Sequence, residues 1–323
     1  MAEINFELYN NQLMQKLVGA SDSNLRVIEK SLGVEILNFG NQITIKGSPK
    51  EIEEAKAAIM VLYDKVSKGI EIGEEEAKAA VRMCGGGADV SQVQNLNDMV
   101  LKTKKRYIYP RSATQAKYID AMLKNELVFG LGPAGTGKTY LAVALAVSMM
   151  LEGVVDKIIL SRPAVEAGEN LGFLPGDLKE KVDPYLRPLY DALYEMLPAE
   201  MVDKKLSLGE IEIAPLAFMR GRTLSNAFVI LDEAQNTTPM QMKMFLTRLG
   251  ENSRMVVNGD LSQVDLPRGV VSGLRDALDT LKKVENITSV TFTSSDVVRH
   301  GLVAKIVQAY EEKSKRLQEE AHD

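Results

Sequence analysis

Three clusters of residues have types and spacings suited to phosphate chemistry. Gly132-Pro133-Ala134-Gly135-Thr136-Gly137-Lys138-Thr139 fills the G-x-x-x-x-G-K-[ST] pattern. The apolar run Leu127–Leu131 leads into it, and an Ala/Val/Leu-rich helical stretch leaves it from Tyr140. Glycines at this spacing let the backbone wrap a phosphate with its N–H groups inward, at the positive end of a helix. Lys138 is then placed to reach the β- and γ-phosphates and the Thr139 hydroxyl to hold Mg²⁺, with Tyr140 joining the candidate nucleotide-binding set.

The second cluster closes an apolar strand: Phe228-Val229-Ile230-Leu231-Asp232-Glu233-Ala234-Gln235. Asp232 suits the Mg²⁺ shell, directly or through water, and Glu233 suits orienting and deprotonating an attacking water. A second acid at this place favours nucleotide hydrolysis over phosphoryl transfer to a small molecule. No Asn-Lys-x-Asp guanine-reading motif occurs, which favours ATP. The third cluster is Asn258-Gly259-Asp260-Leu261-Ser262-Gln263. Asp260 and Gln263 there either sense the γ-phosphate and hold the water, or form an ordinary Asx-capped turn. Gln115 and Tyr118 precede the first cluster on one face of an expected helix. They are candidates for the adenine edge and plane, or plain surface residues.

These groups need a scaffold that brings distant segments together. From Leu127 onward, short apolar runs (Leu127–Leu131, Lys157–Ser161, Phe228–Leu231, Arg254–Asn258, Ile287–Phe292) alternate with helical stretches such as Tyr140–Met150 and Gln241–Leu249. Continuous apolar strands alternating with helices predict an α/β fold whose mostly parallel sheet is covered on both faces. Ligands in such folds bind at the carboxyl ends of the strands. Arg162 and the Pro163–Asp177 stretch, rich in glycine and proline, read as a long loop at a strand end that touches nucleic acid or a neighbouring subunit, or that only connects. Asp183–Tyr190 reads as its aromatic and basic continuation.

The first 84 residues have a different texture. Ile4–Leu8 reads as a strand, Asn10–Val18 and Leu25–Leu32 as helices, and Val34–Phe39 with Gln42–Lys46 as a hairpin about Gly40-Asn41. Ser48-Pro49-Lys50-Glu51 is a capping box opening a helix with Ile52, Ala55, Ile59, Leu62 and Val66 on one stripe. This strand-helix-helix-strand-strand-helix order resembles a KH domain, a single-strand-binding module whose G-x-x-G loop clamps the nucleic-acid backbone. Here the loop is Gly19-Ala20-Ser21-Asp22, with an acid in place of the second glycine. A small α+β assembly domain is the other reading. Residues 1–84 are thus expected as a KH-like domain, 85–111 as a linker with a basic segment, and 112–323 as the nucleotide domain. The basic segment Lys102–Arg111 holds five cationic residues, two tyrosines and no acid, suited to phosphates and bases or to a solvated strap.

Composition removes several alternatives. The 323 residues carry 39 Lys+Arg against 44 Asp+Glu, a net charge of −5, with 45% hydrophobic residues, which is ordinary globular composition. One cysteine leaves no intrachain disulfide framework, and two histidines leave almost nothing for a His-built metal site or a Ser-His-Asp triad. The opening MAEINFELYN has no signal-peptide pattern, and the longest apolar stretch, Leu141–Leu151, is short of a membrane span. A cytoplasmic chain with no membrane partner is expected.

Taken together, Gly132–Thr139, Ser161–Asp177, Leu231–Asn236, Gly259–Pro267 and Asp296-Val297-Val298-Arg299-His300 resemble the bacterial PhoH-like proteins. That resemblance covers about Thr103 to Tyr310. It implies a RecA-like P-loop ATPase core similar to one lobe of superfamily 1 helicases, preceded by a KH-like domain. It further implies ATP hydrolysis, a ring-shaped, hexameric homo-oligomer, a role in RNA metabolism, and a partnership with an rRNA-maturing endoribonuclease. A two-lobed helicase completes its site with an arginine from the second lobe. The ~60 residues after Asp260 are too few for one, since a domain usually takes ~100–200. An arginine from a neighbouring subunit is therefore expected, with Arg299 the first candidate and Arg268, Arg220 and Arg222 its rivals. Two functions stay open: an RNA-remodelling ATPase, and an ATP-switched regulatory or assembly factor that serves a nuclease without unwinding RNA.

Overall fold

A computed structural model describes residues 2–84, 99–163, 178–267 and 269–297, with the backbone alone over 178–184. The chain forms two compact units, residues 1–101 with 107–117, and residues 102–106 with 118–323. Of the expected linker, residues 85–98 lie outside the described residues.

The first unit follows the expected element order: β1 (Ala2–Glu7), α1 (Asn11–Val18), α2 (Ser23–Leu32), β2 (Glu35–Phe39), β3 (Gln42–Gly47) and α3 (Pro49–Ser67), then α4 (Glu74–Cys84). Local chemistry sets the boundaries. Asn10 accepts hydrogen bonds from the Gln12 and Leu13 amides to start α1, and Ser48 with Glu51 closes a capping box ahead of Pro49. The strands form an antiparallel sheet in the order β1-β3-β2, with Ile45 opposite both Ile4 and Ile36. Leu17, Ile28, Ile43, Ile45, Ile59 and Leu62 are fully buried in its core, each contributing about 1.5–3 kcal/mol by leaving water. Helix α4 adds Ala77, Ala80, Met83 and Cys84 to the same core. Burial pushes the Cys84 thiol up to about 12, so it behaves as a small apolar residue. The Gly19–Asp22 stretch is a tight turn in which Ser21 and Asp22 adopt left-handed backbone, at φ 52° and 59°.

Two-residue strands β4 (Leu101–Lys102) and β5 (Tyr107–Ile108) come next in sequence. Then follow α5 (Ala113–Lys124), β6 (Leu127–Leu131), α6 (Lys138–Leu151), β7 (Lys157–Arg162), α7 (Leu178–Met196), α8 (Ala199–Ser207) and β8 (Ile211–Pro215). The last elements are β9 (Ala227–Leu231), α9 (Pro239–Leu246), β10 (Arg254–Gly259), α10 (Gly273–Thr280) and β11 (Ile287–Thr291). The six long strands of the second unit form one sheet in the order β11-β6-β10-β9-β7-β8, every pairing parallel. This is the expected α/β core with a parallel sheet. All five residues of β9 and the first four of β6 are buried, as expected of strands covered on both faces.

Three features depart from the sequence reading. Strand β8 was not anticipated; it is a short edge strand ending at Pro215, which needs no ladder partner on its open side. Residues 183–190 belong to helix α7 rather than to a loop. Leu186, Leu189, Leu193 and Met196 are buried at helical spacing, and that apolar stripe outweighs the cost of Pro188 inside the helix. Tyr118 is neither an adenine contact nor a surface residue: it is fully buried, edge-on to Phe292 with centroids 5.3 Å apart. Its hydroxyl donates to Asn258 Oδ1 at 2.6 Å, crossing β6 at Gly130, where a Cβ would lie 2.4 Å from that oxygen. Only glycine leaves room for this bond.

Candidate active site

Parallel strands deliver their carboxyl ends to one edge of the sheet, and the three clusters arrive there together. Strand β10 lies between β6 and β9, so the Asn258–Gln263 turn sits between the loop of Gly132–Thr139 and the Asp232-Glu233 pair. Backbone bonds tie these ends: Gly132 N donates to Gly259 O at 3.1 Å, and Asp232 N to Ser161 O at 2.9 Å. The result is a cleft of about 230 Å³ lined by Ala134, Gly135, Gly137, Lys138, Thr139, Tyr140, Asp232, Glu233, Gly259, Asp260 and Gln263.

The Lys138 side chain is buried, and its ammonium donates to Gly132 O at 2.6 Å and Pro133 O at 2.8 Å. Thr136 Oγ1 donates to Pro133 O at 2.9 Å, closing the loop on itself. Across the cleft, Thr139 Oγ1 donates to Asp232 Oδ1 at 2.6 Å. Residues 93 positions apart are thereby joined by a charge-assisted bond, a class worth about 1.5–3 kcal/mol. Burial pushes the Asp232 carboxyl above its usual range; the Thr139 hydroxyl opposes that shift and the neighbouring Glu233 charge adds to it.

Glu233 sits in left-handed backbone at φ 52°, which turns its side chain out of the strand. Its Oε2 accepts from Gln235 Nε2 at 2.6 Å, and its Oε1 lies 3.4 Å from Arg162 Nη2 at the end of β7. Asp260 is buried and holds its own turn, accepting from Ser262 N at 2.9 Å and from Gln263 Nε2 at 2.9 Å. The third cluster is thus an Asx-type turn, and Asp260 and Gln263 line the cleft.

Gln115 is not among the cleft-lining residues. It is buried in the first unit, where its Oε1 accepts from Arg111 N at 2.6 Å just ahead of α5. Arg299, Arg268 and the 164–177 stretch lie outside the described residues. Arg222 makes a bidentate pair with Glu212 at 2.6 and 2.7 Å, which occupies its guanidinium, and Arg220 is exposed. The basic segment is partly anchored: in the second unit Lys105 Nζ donates to Tyr194 O at 2.6 Å and Arg106 lies 3.3 Å from Glu195. In the first unit Arg111 lies 3.8 Å from Glu76, and the Lys65 ammonium lies 5.3 Å from the Tyr109 ring centroid.

Sequence reasoning missed two residues at the heart of the site, Gln235 and Arg162 as partners of Glu233. Their only signal was indirect: a glutamine two positions after an acid pair at a strand end, and an arginine ending the neighbouring strand. Among the described residues no helix is long and apolar enough to cross a membrane.

Comparison with known proteins places this arrangement. The family model for PhoH-like protein matches residues 107–311. A PhoH-like protein of Mycobacterium tuberculosis is 51% identical over 298 residues, covering 92% of this chain and 85% of its own. A PhoH-like protein of Bacillus subtilis is 49% identical over 96% of this chain and 98% of its own. Protein PhoH of Escherichia coli is 42% identical over 86% and 75%. Among solved structures, the UvsW helicase of bacteriophage T4 covers 72% of this chain and 76% of its own at 11% identity and a TM-score of 0.35, too distant to bear on mechanism. With a complete phosphate-binding loop facing a strand-end acid pair, and these relatives, the chain belongs to the PhoH family of P-loop NTPase-type proteins.

Proposed function

We propose that this chain binds ATP with Mg²⁺ and hydrolyses it as one subunit of a cytoplasmic, ring-shaped homo-oligomer, a hexamer, that remodels RNA. The observation that carries the hydrolytic part is the 2.6 Å bond between Thr139 and Asp232 with Glu233 beside it, facing the loop that holds Lys138. The loop amides and Lys138 hold the phosphates, exchanging the lysine's carbonyl partners for charged oxygens. Glu233 accepts a proton from the attacking water as its oxygen bonds to the γ-phosphorus and the bond to the bridging β–γ oxygen breaks. The proton then leaves to solvent with the released phosphate.

The donor set fits Mg²⁺. Thr139 and Asp232 are a hydroxyl and a carboxylate, the hard oxygens this ion takes in ones and twos while keeping its waters. The cleft lining has one lysine against three carboxylates, so a triphosphate needs added positive charge to enter. When bound, the ion neutralises charge developing on the β- and γ-oxygens. Arg299 from a neighbouring subunit is the proposed finger, supported by the pairing of Arg222 with Glu212.

RNA as the substrate is supported by the α+β element order of the first unit and by the Lys102–Arg111 run. The acid at Asp22 and the net charge of −5 favour the second reading, an ATP-switched factor that partners an rRNA-maturing endoribonuclease. One experiment separates them: ATP turnover titrated with single-stranded RNA at about 50 and 200 mM salt. The motor requires stimulation that weakens as salt rises, because phosphate contacts release counterions. Turnover indifferent to every RNA tested refutes the motor and leaves the switch.

A further inference from the structure

Glu233, read above as the base, is not held by its own strand. Its backbone has already turned left-handed, so the carboxylate's direction depends on what grips it. The shortest grip is the amide of Gln235, a side chain 1% exposed and satisfied at both ends. Its Nε2 donates to Glu233 Oε2 at 2.6 Å, and its Oε1 accepts from the Asp260 amide at 3.0 Å. The partners set the amide's orientation, since a flip would face oxygen against carboxylate and NH₂ against N–H. Its backbone is anchored too, with Ser272 Oγ donating to Gln235 O at 2.8 Å. Gly259 keeps the passage open: a Cβ there would stand 2.9 Å from Gln235 Oε1 and 2.5 Å from Leu274.

The far end of this bridge is the turn facing the cleft. Asp260 receives Gln235 through its amide and holds Gln263 through its carboxylate, Nε2 to Oδ2 at 2.9 Å. One glutamine thus joins the strand-end base to the group placed to feel the terminal phosphate.

We propose that Gln235 is a positioning residue that couples the direction of Glu233 to the conformation of the Asp260–Gln263 turn, so that contact with the terminal phosphate and placement of the base are one event. The coupling rests on Glu233 acting as base, and the experiment separates the two.

The full-length protein is assayed with Mg²⁺ and ATP for phosphate release, and with a fluorescent ATP analogue for affinity. Gln235→Met keeps the volume and removes both bonds. It is expected to lower kcat by about 10- to 100-fold, the scale of a misplacement near 1 Å, with KM and analogue affinity within about twofold. Gln263→Ala is measured alone and in the Gln235→Met background, and the double variant is expected to lose clearly less than the product of the two single losses, because part of each loss runs through one linkage. If Gln235→Met does not fold, Gln235→Asn, one methylene short of spanning both partners, carries the same expectations. Unchanged kcat, or effects of the two positions that multiply, overturns the coupling. Glu233→Gln is the control: if it retains turnover, the base assignment itself fails. If it is inactive while Gln235→Met turns over normally, only the coupling fails.

Discussion

Replacing Glu233 by glutamine changes one atom of the side chain and separates chemistry from architecture. The Gln235 amide can still donate to the new carbonyl oxygen, so the 2.6 Å contact has a counterpart in the variant. What is lost is the charge facing Arg162. That pair stands at 3.4 Å with side chains 23% and 37% exposed, and a pair so open to solvent is worth about 0–1 kcal/mol. Stability should therefore move by no more than about 1 kcal/mol. Removing a general base typically costs 10²–10⁴ in rate, or about 2.7–5.5 kcal/mol of transition-state stabilisation at 1.36 kcal/mol per decade. The prediction is a fall in kcat of at least about 100-fold with ATP affinity unchanged, because no phosphate-holding group is altered. Phosphate release, analogue binding and thermal unfolding measured on one preparation decide it. Turnover within tenfold of the parent would show that another group takes the proton, and loss of ATP binding would show that Glu233 belongs to the nucleotide cradle.

Three further perturbations follow from the same geometry. Lys138→Ala removes the cleft lining's one cationic side chain and should abolish nucleotide affinity while leaving the fold intact; retained analogue binding contradicts it. Asp232→Asn should abolish turnover yet raise the melting temperature at neutral pH, measured without Mg²⁺ or nucleotide. Burial holds the Asp232 carboxyl above its ordinary 3.8, so the folded chain binds this proton more tightly than the unfolded one, and the group contributes stability as pH falls from above the folded value. The parent's excess over the variant should accordingly be most negative at neutral pH and shrink on acidification, and a pH-independent difference refutes the cause. Tyr118→Phe removes the donor to Asn258, whose Nδ2 has no hydrogen-bond partner among the described residues, and should cost about 1–3 kcal/mol in denaturant unfolding without altering ATP affinity.

The chemistry at the loop was legible before any fold because it is local. Gly132–Thr139 needs only its own backbone and the flanking strand and helix, and all three signals lie within about twenty-five consecutive residues. The same holds for Ser48–Glu51, where the capping box is built from side chains three positions apart. Strand β8 and helix α7 were not legible, since an edge strand of five residues and a helix carrying Pro188 are decided by what they pack against.

Residue types and short-range spacing alone therefore determined the phosphate-binding loop, the acid pair, the alternating α/β order and the capped helices of the first unit. Tertiary structure decided which acids meet which partners: Thr139 on Asp232 across 93 residues, Arg162 and Gln235 on Glu233, and the Gln235 amide on Asp260. It also moved Tyr118 from a candidate nucleotide contact to the core. The reason is the strand order: periodicity says that a segment is a strand, whereas only the packed sheet, with β10 set between β6 and β9, says whose end stands beside whose.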